Sequence, residues 1–317
     1  MGKTKGSVHV VFGSGPLGLA VVRELARRCL TVRVVNGRSR PELPQGVELL
    51  SGDAYDATFA RQAAQDAAVV YQCAQPGYAH WPAKFPPLQA SILQAAAAAG
   101  AKLIVGDNLY MYGEVDGPLH EDLPYAPNTR KGKVRAALAE VALAAHREGK
   151  VRVALARGSD FFGPQVVGSA MGDRVFLPAL KGKAASVGGR LDVPHTYTFI
   201  DDFGRAMVML GEREEALGQA WHVPNAEPTI TQRQFVERIF AAIGAPAKMS
   251  AMGRAMMAVG GLFVPEARES VEMMYEFEKP FVVDSSRFEK AFGLKATPLS
   301  ESIPATVRWY QERMAAG

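Results

Sequence analysis

Short apolar runs rich in β-branched residues alternate with amphipathic segments through the first half of the chain. Bounded by turn residues, such runs predict strands, and the segments between them have helical periodicity. The predicted strands are VHVVF (8–12), TVRVV (31–35), VELLS (47–51), AVVYQC (68–73), KLIVG (102–106) and VRVALA (151–156). The predicted helices are LGLAVVRELARR, TFARQAAQ, PPLQASILQAAAAA and VRAALAEVALAAHR. This alternation predicts βαβ units and a parallel sheet, and therefore an α/β fold.

The alternation stops after Gly163 and Pro164, and the rest of the chain is organised differently. A loop-rich stretch follows, then a strand and helix pattern at 195–211 and a helix that stops at Gly244. We therefore expect a first domain over 1–164, to which 190–210 returns, and a smaller lobe built from 165–189 and 211–317. The Met and aromatic residues of that lobe have the helical spacing of a packed core, although an apolar ligand would also suit them.

Length and composition limit the class of protein. The 317 residues, 48% of them apolar, are typical of a folded globular protein. A net charge of +4 is too small for a nucleic-acid-binding surface, and no apolar run reaches the roughly 18 residues of a membrane helix. Cys29 and Cys73 lack the spacing of a metal site, and a reducing cytoplasm fits them best. We expect a cytoplasmic protein with a small-molecule substrate and with no metal, nucleic-acid or membrane partner.

A glycine-rich motif, GSGPLG (13–18), follows the first predicted strand and precedes a predicted helix. In the G-x-G-x-x-G pattern, the first glycine permits a tight turn and the second lets the backbone approach a pyrophosphate. The third lets the helix pack on the strand, and the helix N-terminus faces the anion. The residues predicted to bind a dinucleotide phosphate are Gly13, Ser14, Gly15, Pro16, Leu17 and Gly18.

The end of the second predicted strand bears on the choice between NAD and NADP. An acidic side chain about 20 residues beyond the glycines normally holds the ribose 2′-hydroxyl of NAD. This chain has Asn36 there, followed by two arginines and a serine. Guanidinium groups suit bidentate phosphate contacts, and no carboxylate is present to repel a 2′-phosphate. We predict NADP(H) rather than NAD(H), held by Asn36, Arg38, Ser39 and Arg40; the alternative is that both arginines are solvated loop charges.

Further motifs occur in the order found in a known superfamily. After GSGPLG come GDAYD (52–56), NLYMYG (108–113), Lys133, RGSDFFGP (157–164) and YTFIDDFGRAM (197–207). With these motifs the chain resembles the short-chain dehydrogenase/reductase superfamily. It looks most like the extended and atypical branch, the NAD-dependent epimerase/dehydratase family. The tail DSSRFEKAFGLKATPLSESIPATVRWYQE is also similar, so the resemblance covers nearly the whole chain.

The resemblance implies a fold and a cofactor position. The fold is a Rossmann-type, doubly wound parallel sheet of order 3-2-1-4-5-6, with a smaller C-terminal substrate lobe. A lysine would hold the nicotinamide ribose and lower the pKa of a tyrosine four residues earlier, which acts as acid and base. A homodimer is common in the superfamily. The additional residues implied to lie near the cofactor are Gly52, Asp53, Ala54, Ala74 and Gln75.

The catalytic pattern that the resemblance implies is incomplete here. We take Lys133 as the ribose-binding lysine, and the residue four before it is Thr129, not tyrosine. Asn108 stands four before Tyr112, where a serine or threonine is usual. The neighbouring Lys131 follows Pro127 by four residues, so a shifted register does not restore the pattern, and we expect Arg130 and Lys131 to face solvent.

Several residues are candidates to replace the missing tyrosine. An asparagine amide donates hydrogen bonds to an oxyanion, and a threonine hydroxyl can donate to a carbonyl oxygen or relay a proton. Tyr110 is the candidate proton donor. Thr129 also suits a helix N-cap, and Tyr110 also suits core packing. The predicted catalytic residues are Asn108, Tyr110, Thr129 and Lys133.

Aromatic and polar residues after other strands are candidates for the substrate pocket. Each has a structural alternative as a packing or turn residue. The candidates are Tyr78, Trp81, Tyr112, Asp160, Phe161 and His195.

The predicted function is that of an NADP(H)-dependent oxidoreductase. It would transfer hydride to or from a small carbonyl, alcohol or activated alkene with a non-standard acid/base set. One alternative is a catalytically impaired NADP(H)-binding regulatory or sensor protein. Another is an epimerase or dehydratase of a nucleotide sugar, which the missing tyrosine and the NADP-like loop disfavour.

Overall fold

The structure is a computed structural model that describes residues 8–37, 41–260 and 269–316 of the chain. These residues form two compact units. The first contains the described residues up to Met111, together with Arg130–Gly158 and Phe203–Val223. The second contains Tyr112–Thr129, Ser159–Asp202 and the described residues from Pro224 onward. The division differs in part from the expected one: the segment that returns to the first unit is 203–223 instead of 190–210, and 112–129 and 159–164 belong to the second unit.

Strands and helices alternate through the first half of the chain, as the apolar pattern predicts. The strands are β1 (Val8–Phe12), β2 (Thr31–Asn36), β3 (Glu48–Ser51), β4 (Ala67–Gln72), β5 (Lys102–Asp107), β6 (Arg152–Arg157), β7 (Asp160–Phe162), β8 (Ala185–Gly188), β9 (Tyr197–Phe199), β10 (Ala220–His222) and β11 (Met249–Met252). The helices are α1 (Pro16–Arg27), α2 (Ala57–Ala63), α3 (Trp81–Ala99), α4 (Arg130–Arg147), α5 (Asp173–Leu180), α6 (Ile200–Glu212), α7 (Gln232–Ala242), α8 (Arg254–Gly260), α9 (Tyr275–Glu278), α10 (Ser286–Phe292) and α11 (Leu299–Ala316).

The first unit is built on a parallel sheet. Within the described residues its seven strands have the order β10-β6-β5-β4-β1-β2-β3. Neighbouring strands are all parallel in this sheet. Every residue of β1 is buried, which is why the strand reads as a continuous apolar run rather than an alternating one. The predicted α/β fold and the order 3-2-1-4-5-6 are confirmed, and β10 is an edge strand that the pattern did not predict.

Two helices begin earlier than the sequence pattern predicts. Helix α3 begins at Trp81 rather than Pro86, because a proline at its first turn is compatible with a helix start. Helix α4 begins at Arg130 rather than Val134, so the basic segment before the apolar repeat is helical. Residues four apart then share a face of α4, and residues two apart lie on nearly opposite faces. The earlier start decides which lysine is buried.

The second unit has its own apolar core. Strands β7 and β9 form one parallel pair, and β8 and β11 form another. Aromatic rings fill the space among α5, α7 and α11: Phe176 stacks on Tyr310 at 4.9 Å, and Phe162 meets Phe235 edge-on at 4.9 Å. No helix within the described ranges is long and apolar enough to cross a membrane.

Candidate functional site

The glycine-rich loop joins β1 to α1 in the first unit. Gly13 has a φ of +99°, and a Cβ there would lie 2.6 Å from the main-chain nitrogen of Ala74. A Cβ on Gly18 would collide with the carbonyl oxygen of Gly13, so this glycine lets α1 pack against the loop. A Cβ on Gly15 would meet nothing within 4 Å. Two glycines are therefore required by contacts within the protein, whereas Gly15 borders open space at the N-terminus of α1.

This arrangement fits the pyrophosphate of a dinucleotide. The first turn of a helix presents main-chain N–H groups and the positive end of the helix dipole. Pro16 occupies the first turn of α1, where its missing N–H costs no intrahelical bond. The space beside Gly15 lets an anion approach these donors closely.

The end of β2 contains no carboxylate. Asn36 is half-buried, and its Oδ1 accepts a hydrogen bond from the main-chain N–H of Gly37 at 2.9 Å. Its own carbonyl accepts from the N–H of Gly52 at 3.0 Å, which ties β2 to the loop after β3. The other predicted residues of this region, Arg38, Ser39 and Arg40, lie outside the described residues.

The loops after β3 and β4 are ordered by local contacts. Oδ1 of Asp53 accepts from the N–H of Tyr55 at 3.0 Å, so this exposed carboxylate shapes the turn before α2. A Cβ on Gly52 would collide with the ring of Phe59. Ala54 is half-buried, and the main chain of Ala74 lies against Gly13. The structure thus places the predicted residues at the carboxyl ends of β3 and β4.

Burial reverses the expectation for the two lysines of α4. Lys131 is 1% exposed, so the expectation that it faces solvent is wrong, while Lys133 is exposed. The physical reason is the start of α4 at Arg130, which places Lys131 and Arg135 on the buried face and Lys133 on the opposite one. The Nζ of Lys131 lies 4.4 Å from the centroid of the Tyr78 ring.

A buried ion cluster of Asp107, Arg135 and Arg157 lies at the carboxyl ends of β5 and β6. Oδ1 of Asp107 accepts from Nη1 of Arg135 at 3.3 Å, and Oδ2 accepts from Nε of Arg157 at 3.3 Å. Burial lowers the pKa of Arg135, and the negative charge of Asp107 opposes that shift. The sequence pattern did not predict this cluster, although Asp107 and Arg157 are each a charged residue directly after a predicted apolar strand.

Aromatic rings cover Arg135. Its guanidinium carbon lies 4.3 Å from the Trp81 ring centroid and 4.4 Å from that of Phe85. One terminal nitrogen donates to Oε1 of Gln75 at 3.3 Å. The Nε of Arg135 is buried and has no hydrogen-bond partner among the described residues. Trp81 is buried as well, so its side chain packs against the cation.

Three predicted site residues meet in the first unit. The hydroxyl groups of Tyr78 and Tyr110 lie 3.4 Å apart. Oδ1 of Asn108 accepts from the main-chain N–H of Tyr110 at 3.2 Å, which orients the turn after β5. Because Lys131 lies over the Tyr78 ring, this lysine, the two phenols and the amide form one polar group beside the ion cluster.

Three other predicted residues belong to the second unit. Tyr112 is fully buried and packs edge-on against Tyr125 at 6.0 Å. This is the arrangement expected if Tyr112 is a packing residue. Thr129 is buried directly before α4. Phe161 is half-buried on β7.

Asp160 and His195 are in contact in the second unit. Nε2 of His195 lies 2.9 Å from Oδ2 of Asp160, and its Nδ1 lies 3.0 Å from the carbonyl oxygen of Glu276. Burial, and next the charge of Asp160, raise the pKa of Glu276 well above its usual range. The sequence pattern predicted Asp160 and His195 separately and did not predict Glu276.

A sequence model of the NAD-dependent epimerase/dehydratase family matches residues 9–223. A dTDP-glucose 4,6-dehydratase from Bacillus anthracis str. Ames, solved in complex with NAD, superposes with a TM-score of 0.79 at 15% identity over 98% of each chain. A UDP-glucuronic acid 4-epimerase from Bacillus cereus, also with NAD, gives 0.76 at 17% identity over 98% of each chain. A UDP-glucose 4-epimerase from Thermotoga maritima gives 0.77 at 14% identity, covering 97% of this chain and 99% of that one. None of the curated proteins matches the sequence.

Proposed function

The chain belongs to the NAD-dependent epimerase/dehydratase family, and on that premise we propose that it transfers hydride between NADP(H) and a small carbonyl, alcohol or activated alkene. The observation that carries this proposal is the open space beside Gly15 at the N-terminus of α1. Gly13 is required by the close approach of the Ala74 main chain and Gly18 by that of the Gly13 carbonyl, whereas the open space beside Gly15 is the proposed place of a pyrophosphate at the positive end of the helix dipole.

The chain's own residues would bind and orient the reactants. The nicotinamide cofactor, when bound, supplies or accepts the hydride. Lys131 rather than Lys133 is the proposed ribose-binding residue, because its charge is buried beside Tyr78 in the same unit as the glycine loop. The side chain of Lys133 is exposed, so its charge is not held in the interior beside other site residues.

Hydrogen-bond donors near Lys131 are the proposed partners of the substrate oxygen. Tyr110 is the proposed proton donor, since its phenol is already held beside the Tyr78 hydroxyl. The Asn108 amide would polarise the same oxygen, because its Oδ1 is engaged with the main chain and its N–H groups point away from that bond.

The preference for NADP(H) rests on Asn36. The dehydratase and the Bacillus cereus epimerase were solved with NAD, so the comparisons taken alone favour NAD. A carboxylate at the end of β2 would accept hydrogen bonds from both ribose hydroxyls of NAD and would repel a 2′-phosphate. The asparagine found there does neither. Fluorescence titration of the purified protein with NADPH and NADH tests this proposal. We expect at least about tenfold tighter binding of NADPH, or about 1.4 kcal/mol.

A matched variant sharpens the titration. Asn36→Asp places a carboxylate at the same position, and we expect it to reverse the preference by charge repulsion of the 2′-phosphate. Tighter binding of NADH by the unaltered protein, or an unchanged preference in the variant, would contradict the assignment.

Turnover separates the oxidoreductase from the sensor alternative. The assay follows NADPH consumption with benzaldehyde, cyclohexanone and 2-cyclohexen-1-one as probes of the aldehyde, ketone and enone classes. Consumption with any of them supports hydride transfer. Tight cofactor binding with no consumption in any probe reaction identifies a cofactor-binding regulatory protein instead.

A nucleotide-sugar epimerase or dehydratase is the second candidate. It is favoured by the similarity in fold to three such enzymes along 97–98% of the chain. Such an enzyme keeps its cofactor through the cycle, so NAD released from the denatured, freshly purified protein, together with conversion of UDP-glucose, would establish it. Neither result is expected if the NADP(H) proposal is correct.

A further inference from the structure

An imidazole and two carboxyl groups lie together in the second unit. Phe277 stacks on the His195 ring at 4.7 Å with an interplanar angle of 5°, and Phe281 stacks on it at 5.2 Å. Tyr197 contacts the ring at 4.6 Å and donates its hydroxyl proton to Oε1 of Gln232. The polar neighbours of the ring nitrogens are Asp160 and the main chain of Glu276.

Hydrogen-bond chemistry determines how many protons this group holds. A carbonyl oxygen only accepts, so Nδ1 of His195 carries a proton and donates it to Glu276. Nε2 and Oδ2 of Asp160 are 2.9 Å apart, and two lone pairs at that distance would repel each other. A second proton must therefore lie between Nε2 and Oδ2, either as imidazolium with carboxylate or as imidazole with carboxylic acid.

Exposure identifies the exit for that proton. The His195 side chain is fully buried, whereas the Asp160 side chain is 17% exposed. Glu276 is 2% exposed, with its pKa raised by burial, and its Oε1 lies 3.5 Å from the Tyr275 hydroxyl. Of these three groups, Asp160 alone can reach a molecule outside the core, and His195 lies behind it.

Stability does not account for this arrangement. A buried ion pair recovers little more than the cost of removing its charges from water, and well-packed apolar residues often serve equally well. Acid–base pairs whose partners are both well exposed also occur in this unit, such as Arg233 with Asp192 at 2.6 Å. The Asp160–His195 pair differs because one partner is enclosed by aromatic rings and the other is partly exposed.

We propose that Asp160 is a second acid/base residue of this enzyme, and that His195 is the positioning residue that shares and holds its proton. The inference rests on the proposed function, because a substrate must be present to exchange the proton. In the donating direction the carboxylic O–H bond of Asp160 breaks, the proton goes to a substrate oxygen or acidic carbon, and the electron pair stays on the carboxylate. His195 is left as a neutral imidazole that keeps its Nδ1 proton, and a proton from water then enters through the partly exposed Asp160 carboxylate and is again shared with Nε2. The accepting direction is the reverse.

The first test uses proton NMR of the full-length protein without cofactor or substrate. A proton between a buried imidazole and a carboxylate resonates far downfield and exchanges slowly with water. We expect one such signal in the unaltered protein, its loss in His195→Gln, and its retention in Asp192→Asn, a surface carboxylate of the same unit. No such signal, or a signal that survives in His195→Gln, would overturn the proposal without touching the assignment of the cofactor site.

The second test measures turnover of NADPH with the probe substrate that reacts best. Asp160→Ala should lower kcat at least about tenfold, and added acetate should restore part of it by supplying a carboxyl group. His195→Gln keeps a hydrogen bond to Asp160 but cannot carry its proton, so the pH profile of kcat should shift while KM changes less than about threefold. Asp192→Asn should match the unaltered protein in both.

The outcomes distinguish the acid/base role of Asp160 from the proposed hydride transfer. Acetate rescue together with a shifted pH profile supports the acid/base role. Full activity of Asp160→Ala, or a loss of activity with no rescue and an unchanged profile in His195→Gln, reduces the pair to a structural contact and overturns the role. Absence of turnover in the unaltered protein with every probe, and with NADPH and NADH alike, overturns the proposed function and, with it, the role of Asp160.

Discussion

At the scale of single residues, burial distinguishes side chains that the sequence presents as equivalent. Lys131 and Lys133 stand two positions apart in one basic segment. Lys131 lies over the Tyr78 ring in the interior, and Lys133 is exposed. A buried ammonium group has lost most of its hydration, so it is retained only where other groups or a ligand stabilise its charge.

A matched pair of variants tests the assignment of the lysine. Lys131→Ala should weaken NADPH binding at least about tenfold, because it removes the proposed ribose contact, worth about 1.4 kcal/mol or more. Lys133→Ala should change it less than about twofold. Fluorescence titration of both variants gives the answer. Equal losses of NADPH affinity in the two variants would contradict the choice of Lys131 over Lys133. A loss of affinity in Lys133→Ala alone would assign the ribose contact to Lys133.

Asp107 balances two buried guanidinium groups. Its two oxygens each accept from a different arginine at 3.3 Å, and Arg157 has no exposed surface. Removal of the carboxylate charge breaks both ion pairs and takes this counter-charge away from two buried cations. The pair of Arg28 and Glu212 also joins distant segments but is partly exposed, so it serves as a control.

We therefore expect Asp107→Asn to lower the free energy of unfolding by about 3–5 kcal/mol, the usual cost of breaking a buried ion pair. Glu212→Gln should cost less than about 1 kcal/mol, because water screens the exposed pair. Urea denaturation followed by circular dichroism measures both. Similar costs in the two variants would show that Asp107 does not carry the stability assigned to it.

At the scale of elements, the loop between β1 and α1 separates a folding role from a binding role. Gly18 is required because a side chain there would strike the main chain of Gly13. Gly15 borders open space and is required only if a ligand occupies that space. The sequence motif predicts a packing role for one glycine and a binding role for another. The structure shows that a substitution at Gly18 affects packing and that a substitution at Gly15 does not.

Two alanine variants separate these roles. Gly18→Ala should destabilise the protein by about 1–3 kcal/mol, because α1 must shift to admit the methyl group. Gly15→Ala should unfold at the same temperature as the unaltered protein but bind NADPH at least about tenfold more weakly, because its methyl group takes the place of the pyrophosphate. Thermal melts and cofactor titration are the measurements. Normal binding by Gly15→Ala would remove the central support of the proposed cofactor site.

The elements also show where sequence patterns succeed and where they fail. Each of the six predicted strands lies within one residue of its observed bounds. The clearest case is β1, which is buried along its whole length, because a strand buried on both faces leaves a nearly continuous apolar run. Helices α3 and α4 begin five and four residues early, at Trp81 and Arg130, where prolines and cations interrupt the apolar repeat. β10 has only three residues, too short a run to identify as a strand.

At the scale of the whole molecule, buried titratable groups in both units link stability to pH. Burial lowers the pKa of His9 in the first unit, and burial raises that of Glu276 in the second. A group whose pKa is raised on folding stabilises the fold while it is protonated and loses that contribution as pH rises. A histidine whose pKa is lowered on folding costs stability as pH falls.

We expect Glu276→Gln to flatten the pH dependence of unfolding. The unfolded carboxyl titrates near 4.5, and the folded one titrates well above it, so the native protein loses stability as pH rises beyond 4.5. Glutamine cannot ionise, so the variant should gain thermal stability relative to the unaltered protein as pH rises from 5 to 8. Thermal melts across that range measure the difference. Parallel curves for the two proteins would show that the carboxyl is not protonated in the native state.

The amino-acid sequence by itself determined the parallel sheet and the position of the phosphate loop, whereas the strand order came from the resemblance to a family. The sheet and the loop depend on local patterns, namely apolar runs and glycines at fixed spacing, which need no knowledge of distant contacts. Tertiary structure alone decided that Lys131 is buried, that Asp107 holds Arg135 and Arg157, and that Asp160 meets His195. These contacts join residues 28 to 50 positions apart along the chain, and burial depends on which face of a helix meets the sheet, so neither follows from spacing along the chain.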